Sequence, residues 1–113
     1  MLRKLSYIIL ISCTLSLNSC RLGDDEKDKI AIGFSQSINN DIWRKSMDHA
    51  MEVEASLHPE VSLTIYNANR KAKNQIRDIQ KFIDAKMDVI IVSPFESDSI
   101  VPVIEKARAK GIP

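Results

Sequence analysis

Residues 30 to 36 read Ile30-Ala31-Ile32-Gly33-Phe34-Ser35-Gln36, a short apolar run that ends in two polar residues. Two later runs, at residues 61–66 and 89–92, are similarly rich in β-branched side chains. Short apolar runs that are bounded by polar residues are typical of buried strands. The sequence therefore predicts three strands that recur about every 28 residues.

The segments that follow the predicted strands have the periodicity of amphipathic helices. Apolar residues recur there at intervals of three and four, which places them on one helical face. The three stripes are Trp43, Met47, Ala50, Met51 and Leu57; Ala72, Ile76, Ile79 and Ile83; and Ile100, Ile104 and Ala107. Gly111 is expected to end the third helix, because glycine adopts the left-handed conformation at no steric cost. Ile112 and Pro113 would then open a fourth strand.

Regular alternation of strand and helix predicts an α/β fold, with a doubly wound parallel sheet and helices on both faces. Three strands and the start of a fourth would leave one sheet edge unpaired, so we expect residues 30–113 to form an incomplete lobe. An open parallel sheet binds ligands beyond the carboxyl ends of its strands. Those ends correspond to residues 35–43, 67–69 and 93–98.

The composition of the chain excludes several classes of function. A formal net charge of +1 over 113 residues gives no strong attraction to nucleic acid. Only three glycines are present, so neither the dinucleotide-binding fingerprint nor the phosphate-binding loop can be built. His49 and His58 are nine residues apart, which does not fit the one-turn pair of a helical zinc site. We therefore expect no nucleic-acid partner, no metal, no cofactor and no catalytic residues in this segment.

The first residues are typical of an export signal. A basic stretch at residues 1–4 precedes an apolar run at residues 5–17, which is too short to span a bilayer comfortably. We predict a signal peptide at residues 1–19, and hence a periplasmic, membrane-associated protein.

The end of the predicted signal contains a second pattern. Leu17-Asn18-Ser19-Cys20 resembles a lipobox, in which a peptidase cuts before a lipid-modified cysteine. Cys20 is then the lipid attachment site; the alternative is a plain or uncleaved signal in which this cysteine is incidental. Residues 20–29 are mostly charged and lack an apolar period, which predicts a solvated tether ahead of the folded residues 30–113.

Candidate ligand-binding residues lie in the loop after the first predicted strand. Trp43, the single tryptophan, either stacks its indole on the apolar face of a sugar ring or packs on the sheet within its stripe. Asn40 and Asp41 offer an amide and a carboxylate to ligand hydroxyls, although Asp41 is also suited to cap the first helix. Arg44 either forms a fork to a ligand oxygen or remains solvated on the helix surface.

Two serines complete the candidate ligand-binding set. Ser35 ends the first predicted strand but lacks the Gly-x-Ser-x-Gly elbow of a nucleophile. Ser93 presents a hydroxyl after the third strand, next to Pro94, which fixes the backbone direction. The alternative for this second loop is that Ser97 or Asp98 caps the third helix and that nothing in the loop touches a ligand.

Several phrases in the sequence, taken in order, resemble the ribose-binding type of periplasmic sugar-binding protein. They are Ile30-Ala31-Ile32-Gly33-Phe34-Ser35-Gln36, Asp41-Ile42-Trp43-Arg44-Lys45, Asn74-Gln75-Ile76-x-x-Ile79, Val89-Ile90-Ile91-Val92-Ser93-Pro94 and Glu105-Lys106-Ala107-x-x-Lys110-Gly111-Ile112-Pro113. The chain is particularly similar to the sensor region of Bacteroidetes hybrid two-component sensor kinases, in which phrases like Phe-Ser-Gln, Asp-x-Trp-Arg-Lys and Val-Ser-Pro recur.

The resemblance implies a two-lobe periplasmic binding protein fold, of which residues 30–113 supply part of the first lobe. It implies a monosaccharide or small oligosaccharide held between two lobes that close about a hinge. Ile42-Trp43 stands where the family usually places paired aromatics, and Ser93 stands where it places an asparagine.

The function implied by the resemblance is carbohydrate recognition in the sensor region of a hybrid histidine kinase, which a downstream membrane helix would anchor. Kinase activity would belong to the part of such a protein that follows the sensor. The alternative is the lipid-anchored substrate-binding component of a sugar ABC importer.

Overall fold

The computed structural model describes residues 29–113, which form three strands and three helices in strict alternation. The elements are β1 (Ile30–Gln36), α1 (Ile42–Ser56), β2 (Val61–Asn67), α2 (Ala72–Asp84), β3 (Val89–Ser93) and α3 (Ser97–Ala109). The predicted α/β class is confirmed. The predicted signal peptide, the lipid attachment at Cys20 and all but the last residue of the predicted tether lie outside the described residues.

The three strands form one parallel sheet in the order β2-β1-β3. Strand β1 is central and pairs along its whole length with β2, from Ile30↔Val61 to Gln36↔Asn67. Its last five residues also pair with β3, from Ile32↔Val89 to Gln36↔Ser93. Because β2 and β3 lie on opposite sides of β1, the strand order reverses there, and the loops at the carboxyl ends of the three strands come together.

The helices cover the two faces of the sheet unequally. Successive β1 side chains point to opposite faces. Gly33 faces the ring of Phe82 in α2, whereas Gln36 reaches α1, where its Nε2 donates to Asp48 Oδ1 at 3.1 Å. Helix α1 therefore lies on one face, and α2 lies on the other, as the doubly wound prediction requires.

The hydrophobic core lies on the face that carries α2. It joins α2 and α3 to the β3 side chains Ile90 and Val92. Its buried members are Ile79, Ile83, Ile100, Val103, Ala107 and Ile112. Phe82 extends this layer toward β2 and stacks on Tyr66, with 4.9 Å between ring centroids. No helix within residues 29–113 is both long and apolar enough to cross a bilayer.

Helix α1 contributes no buried residue to the core, although its apolar stripe predicts that it would. Its apolar stripe was expected to cover the sheet, yet α1 contains no buried residue, and Trp43 is 63% exposed. Beyond α1, the same sheet face carries Ile91 of β3, which is partly exposed because no other described element packs over it. Polar contacts, such as that of Gln36 with Asp48, hold α1 to the end of the sheet.

The end of α3 matches its prediction. Gly111 has a φ of 76°, and its N–H donates to the Arg108 carbonyl while the Ile112 N–H donates to the Ala107 carbonyl. These two bonds form a Schellman motif, and they turn Ile112 back into the core. The next carbonyl, that of Pro113, accepts from the N–H of Ile90 in β3 at 3.0 Å, where a fourth strand was expected.

We expect Gly33→Ala to destabilise the fold by about 1–3 kcal/mol, the usual cost of overpacking. A Cβ at this position would lie 2.6–2.8 Å from ring atoms of Phe82, and that ring is itself stacked on Tyr66. Urea denaturation followed by circular dichroism measures the loss. In a Phe82→Leu background the same glycine substitution should cost clearly less; an equal cost in both backgrounds would show that the close approach is not its cause.

Candidate functional site

Buried polar side chains are concentrated at the carboxyl end of the sheet. Within the described residues they are Ser35, Gln36, Ser37, Gln75 and Asp78. The first three end β1 or follow it directly. Backbone groups that emerge from a strand end lose their ladder partners and need other ones. The position of these side chains identifies the carboxyl edge as the part of the lobe that is specialised for polar contacts.

An open crevice of about 330 Å³ lies at this edge, a volume within the range of small-molecule sites. Three segments form it: the loop between β1 and α1 with the first turn of α1, the loop between β2 and α2, and the loop between β3 and α3. The lining residues are Ser37, Ile38, Asn40, Asp41, Arg44, Arg70, Pro94 and Phe95. We refer to this cavity as the carboxyl-edge crevice.

Asp41 and Arg44 form the charged centre of the carboxyl-edge crevice. Asp41 caps α1, because its Oδ1 accepts the Arg44 backbone N–H at 2.8 Å. Its Oδ2 accepts from Nη1 of the Arg44 guanidinium at 3.0 Å. The backbone N–H of Arg44, and next its guanidinium, hold the pKa of the Asp41 carboxyl below its usual 3.8. Asp41 therefore presents an ionised carboxylate at neutral pH.

The loop between β2 and α2 brings Arg70 to the crevice in an unusual backbone conformation. Asn69 and Arg70 are both left-handed, with φ values of 53° and 58°, a conformation that costs a non-glycine residue free energy. Hydrogen bonds to β1 hold the loop in place: the Ala68 N–H donates to the Gln36 carbonyl, and the Arg70 N–H donates to the Ser37 carbonyl. The second of these hydrogen bonds places Arg70 beside the loop that follows β1.

The structure places the six candidate ligand-binding residues in different environments. Asn40, Asp41 and Arg44 line the crevice together. Ser35 is fully buried, and its hydroxyl has no hydrogen-bond partner within residues 29–113. Ser93 ends β3 beside the crevice but is not among its lining residues.

The structure bears on one of the two positions predicted for Trp43, packing on the sheet, and its stacking on a sugar ring stays a prediction. Its ring is mostly exposed and lies outside the lining of the crevice, so it does not pack on the sheet. It flanks the crevice instead, with the Arg44 guanidinium 5.7 Å from the ring centroid.

Helix α3 begins differently from expectation. Its N-cap is Glu96, which makes no side-chain capping bond, and Ser97 is already helical.

Sequence reasoning did not select several residues that line the crevice, namely Ser37, Ile38, Arg70, Pro94 and Phe95. The sequence of residues 67–70 suits a turn or a helix cap as well as a polar lining, and Phe95 lies within the predicted strand end 93–98. Neither residue could be chosen individually before the sheet order was known, because the order places their two loops on either side of β1.

A second crevice, of about 230 Å³, lies between α1 and the sheet. Its lining residues are Ile32, Met51, Glu54, Ala55, His58, Val61, Leu63 and Ile91. This lining is almost wholly apolar, so it offers few groups that orient a hydroxylated ligand. The carboxyl-edge crevice, which is rich in amide, carboxylate and guanidinium groups, is the better candidate for polar recognition.

The parallel sheet and its polar carboxyl edge define an open α/β lobe of the kind that binds small ligands at the switch in strand order. Comparison with known proteins identifies the family. A profile described as the periplasmic binding protein domain matches residues 32–113, and the chain belongs to this family. The resemblance inferred from the sequence phrases is thereby confirmed.

Curated relatives and solved structures agree with this assignment. The ribose import binding protein of Bacillus subtilis is 26% identical over 121 aligned positions, which cover 99% of this chain. The fructose-binding periplasmic domain of a hybrid two-component system superposes with a TM-score of 0.70 at 33% identity over 74% of this chain. A solute-binding protein of a Bacillus halodurans ABC transporter, with bound myo-inositol, superposes with a TM-score of 0.70 at 31% identity over 80% of it.

The chain spans only part of the length of these proteins. It covers 39% of the Bacillus subtilis relative, 28% of the fructose-binding domain and 31% of the Bacillus halodurans protein. The region that the chain shares with these proteins is therefore a part of the periplasmic binding protein fold.

We expect Asp41→Asn to change how stability depends on pH. Asparagine keeps the capping oxygen but has no charge to pair with Arg44. Because the pKa of Asp41 is lower in the folded protein, its ionised form stabilises the fold above the unfolded pKa of about 4, and this contribution is lost as the pH falls through the folded pKa. The difference in urea midpoint between wild type and variant should be largest near neutral pH and should shrink toward pH 3.

The matched control for this experiment is Glu52→Gln, which neutralises an exposed carboxylate of the same helix that lies outside the crevice lining. It should leave the pH dependence of the urea midpoint close to that of the wild type. A constant difference between wild type and Asp41→Asn across the pH range would contradict the assigned role of the ion pair.

Proposed function

We propose that this chain contributes one wall of a binding site for a monosaccharide or small oligosaccharide, located at the carboxyl-edge crevice. The observation that supports the proposal is the convergence of Asn40, Asp41 and Arg44 on one open cavity at the switch in strand order. Family membership supports it as well, since relatives are named for ribose, fructose and galactofuranose binding.

The chemistry of the three residues suits hydroxyl groups. Asp41 accepts hydrogen bonds, Arg44 donates several from a planar fork, and Asn40 does both. The cap and the ion pair fix the carboxylate and the guanidinium before any ligand arrives. A site whose groups are held in advance loses less side-chain entropy on binding.

The other sequence candidates take secondary positions in the proposal. Trp43 borders the crevice and holds its ring against the Arg44 guanidinium. Ser35 and Ser93 would contribute through the shape of the strand ends, since neither hydroxyl belongs to the lining.

A ligand that contacts two lobes favours the closed arrangement by its greater affinity for that state. In the full protein the second wall of the site would come from another lobe, and closure would carry the signal.

We propose that the protein is exported and acts as the periplasmic sensor region of a hybrid two-component histidine kinase. The 33% identity to the fructose-binding domain of such a system supports this choice.

A second candidate is the substrate-binding lipoprotein of a sugar ABC importer. The lipobox-like phrase at residues 17–20 favours it, and so do relatives such as the ribose import binding protein. Sequencing the gene beyond the codon for Pro113 separates the two candidates. A second lobe followed by a membrane helix and a kinase supports the sensor; a stop codon after the second lobe supports the importer component.

We expect the full-length protein to bind at least one of D-ribose, D-allose, D-fructose and myo-inositol in calorimetric titration. Arg44→Lys should weaken that binding by about 1.5 kcal/mol, because a lysine cannot form the two-pronged contact of a guanidinium. Arg108→Lys is the matched control, since Arg108 makes an equivalent ion pair with Glu105 in α3, outside the crevice lining. No binding of any of the four compounds, or equal loss in the two variants, would contradict the proposal.

A further inference from the structure

Gln75, in the first turn of α2, is fully buried and holds three pieces of backbone together. Its Nε2 donates to the carbonyl of Ser35 at 3.3 Å and to the carbonyl of Ser93 at 2.9 Å. Its Oε1 accepts from the N–H of Phe95 at 2.9 Å. Both N–H groups and the oxygen of the amide are therefore in use. One side chain joins the end of β1, the end of β3 and the loop that leads to α3.

Two of these contacts satisfy backbone groups at the point where the sheet ends. The ladder between β1 and β3 ends at Gln36↔Ser93, so the Ser93 carbonyl and the Phe95 N–H lie at or beyond the last paired residue. Burying such groups without partners costs free energy. A carboxylate cannot donate to the two carbonyls, and an apolar side chain satisfies none of the three groups. The Gln75 amide satisfies all three groups at once.

The amide of Gln75 fixes the backbone of Phe95, whose neighbour Pro94 has a restricted φ. Phe95 supplies the only aromatic ring among the lining residues of the carboxyl-edge crevice, and this large apolar side chain is still 39% exposed. The rest of that lining is mainly polar, with Asn40 and Arg44 among its members. An exposed ring among hydrogen-bonding groups is the arrangement that suits a ligand with an apolar face and a polar edge.

We infer that Gln75 is a positioning residue that holds Phe95 as the wall on which the C–H face of a monosaccharide ring packs, an inference that rests on the proposed function. The hydroxyls at the edge of the same ring would bond to Asn40, Asp41 and Arg44. Phe95 thereby selects sugars that present a continuous C–H face, and Gln75 acts on affinity only through Phe95.

The first experiment is calorimetric titration of D-ribose, D-allose, D-fructose and myo-inositol into the full-length protein, followed by titration of the compound that binds into its Phe95 variants. Phe95→Ala should weaken binding about tenfold, the scale of losing one aromatic contact, whereas Phe95→Tyr should stay within about twofold of wild type. Val53→Ala, which truncates a similarly exposed apolar residue outside the crevice lining, is the control and should leave affinity unchanged.

The outcomes distinguish the inference from the function beneath it. If wild type binds and Arg44→Lys weakens binding while Phe95→Ala does not, Phe95 is not the surface on which the sugar ring packs, and the proposed function stands. If wild type binds none of D-ribose, D-allose, D-fructose and myo-inositol, the inference fails together with the proposed function. If Phe95→Ala weakens sugar binding and Phe95→Tyr retains it, the result supports packing of the sugar ring on Phe95.

A double-mutant cycle tests the role of Gln75. Gln75→Met keeps the length of the side chain and removes its three hydrogen bonds, so it should lower affinity and thermal stability together. In the Phe95→Ala background the same change should still lower stability but should no longer lower affinity. An undiminished affinity loss in that background would overturn the positioning role. If Gln75→Met does not fold, the cycle uses Gln75→Asn, whose shorter amide cannot span the same three groups.

Discussion

The parallel pairing of β1 on both of its sides is the constraint on which the rest of the structure depends. Because β1 is bonded to β2 along its whole length and to β3 along its last five residues, the chain must cross from one side of β1 to the other through α2. The close approach of α2 to the sheet follows from this crossing, and it is possible because Gly33 leaves room for the Phe82 ring. The same crossing brings the loops of β2 and β3 to either side of the end of β1. The candidate site is thus a consequence of strand order.

At the carboxyl edge, many backbone groups among residues 29–113 lie beyond the strand pairing and need other partners. Three kinds of contact do so: the Gln75 amide between β1 and β3, the Asp41 cap at the start of α1, and the hydrogen bonds that hold Arg70 against the loop after β1. Each contact fixes backbone and also determines where a neighbouring side chain enters the crevice. Structural and binding roles overlap here, which explains why the polar side chains that are buried in this lobe lie mostly at one end of the sheet.

Much of the fold could be predicted from the sequence, because apolar periodicity reports directly on local structure. The three strands, the glycine at the end of α3 and the parallel α/β class all followed from such local patterns. Asn40, Asp41 and Arg44 could also be selected, since they lie close together in the sequence after one strand end. Phe95 lies in a strand end that was predicted to face the ligand, but neither it nor Arg70 could be chosen individually, because their place in the crevice depends on which strands are neighbours. Helix α1 shows a further limit: its apolar stripe is real, but burial of the stripe depends on what packs beside it, and the described residues leave it largely open.

The most direct test of this account is a ¹H–¹⁵N NMR titration of the full-length protein with D-fructose and D-ribose. The account predicts that amide shifts are concentrated in the loop from Ser37 to Arg44, at Arg70 and at Phe95, where the three strand ends meet. Shifts that are concentrated instead around Met51, Ala55 and His58, in the apolar crevice between α1 and the sheet, would contradict it. The location of those shifts would show which end of the lobe receives the ligand.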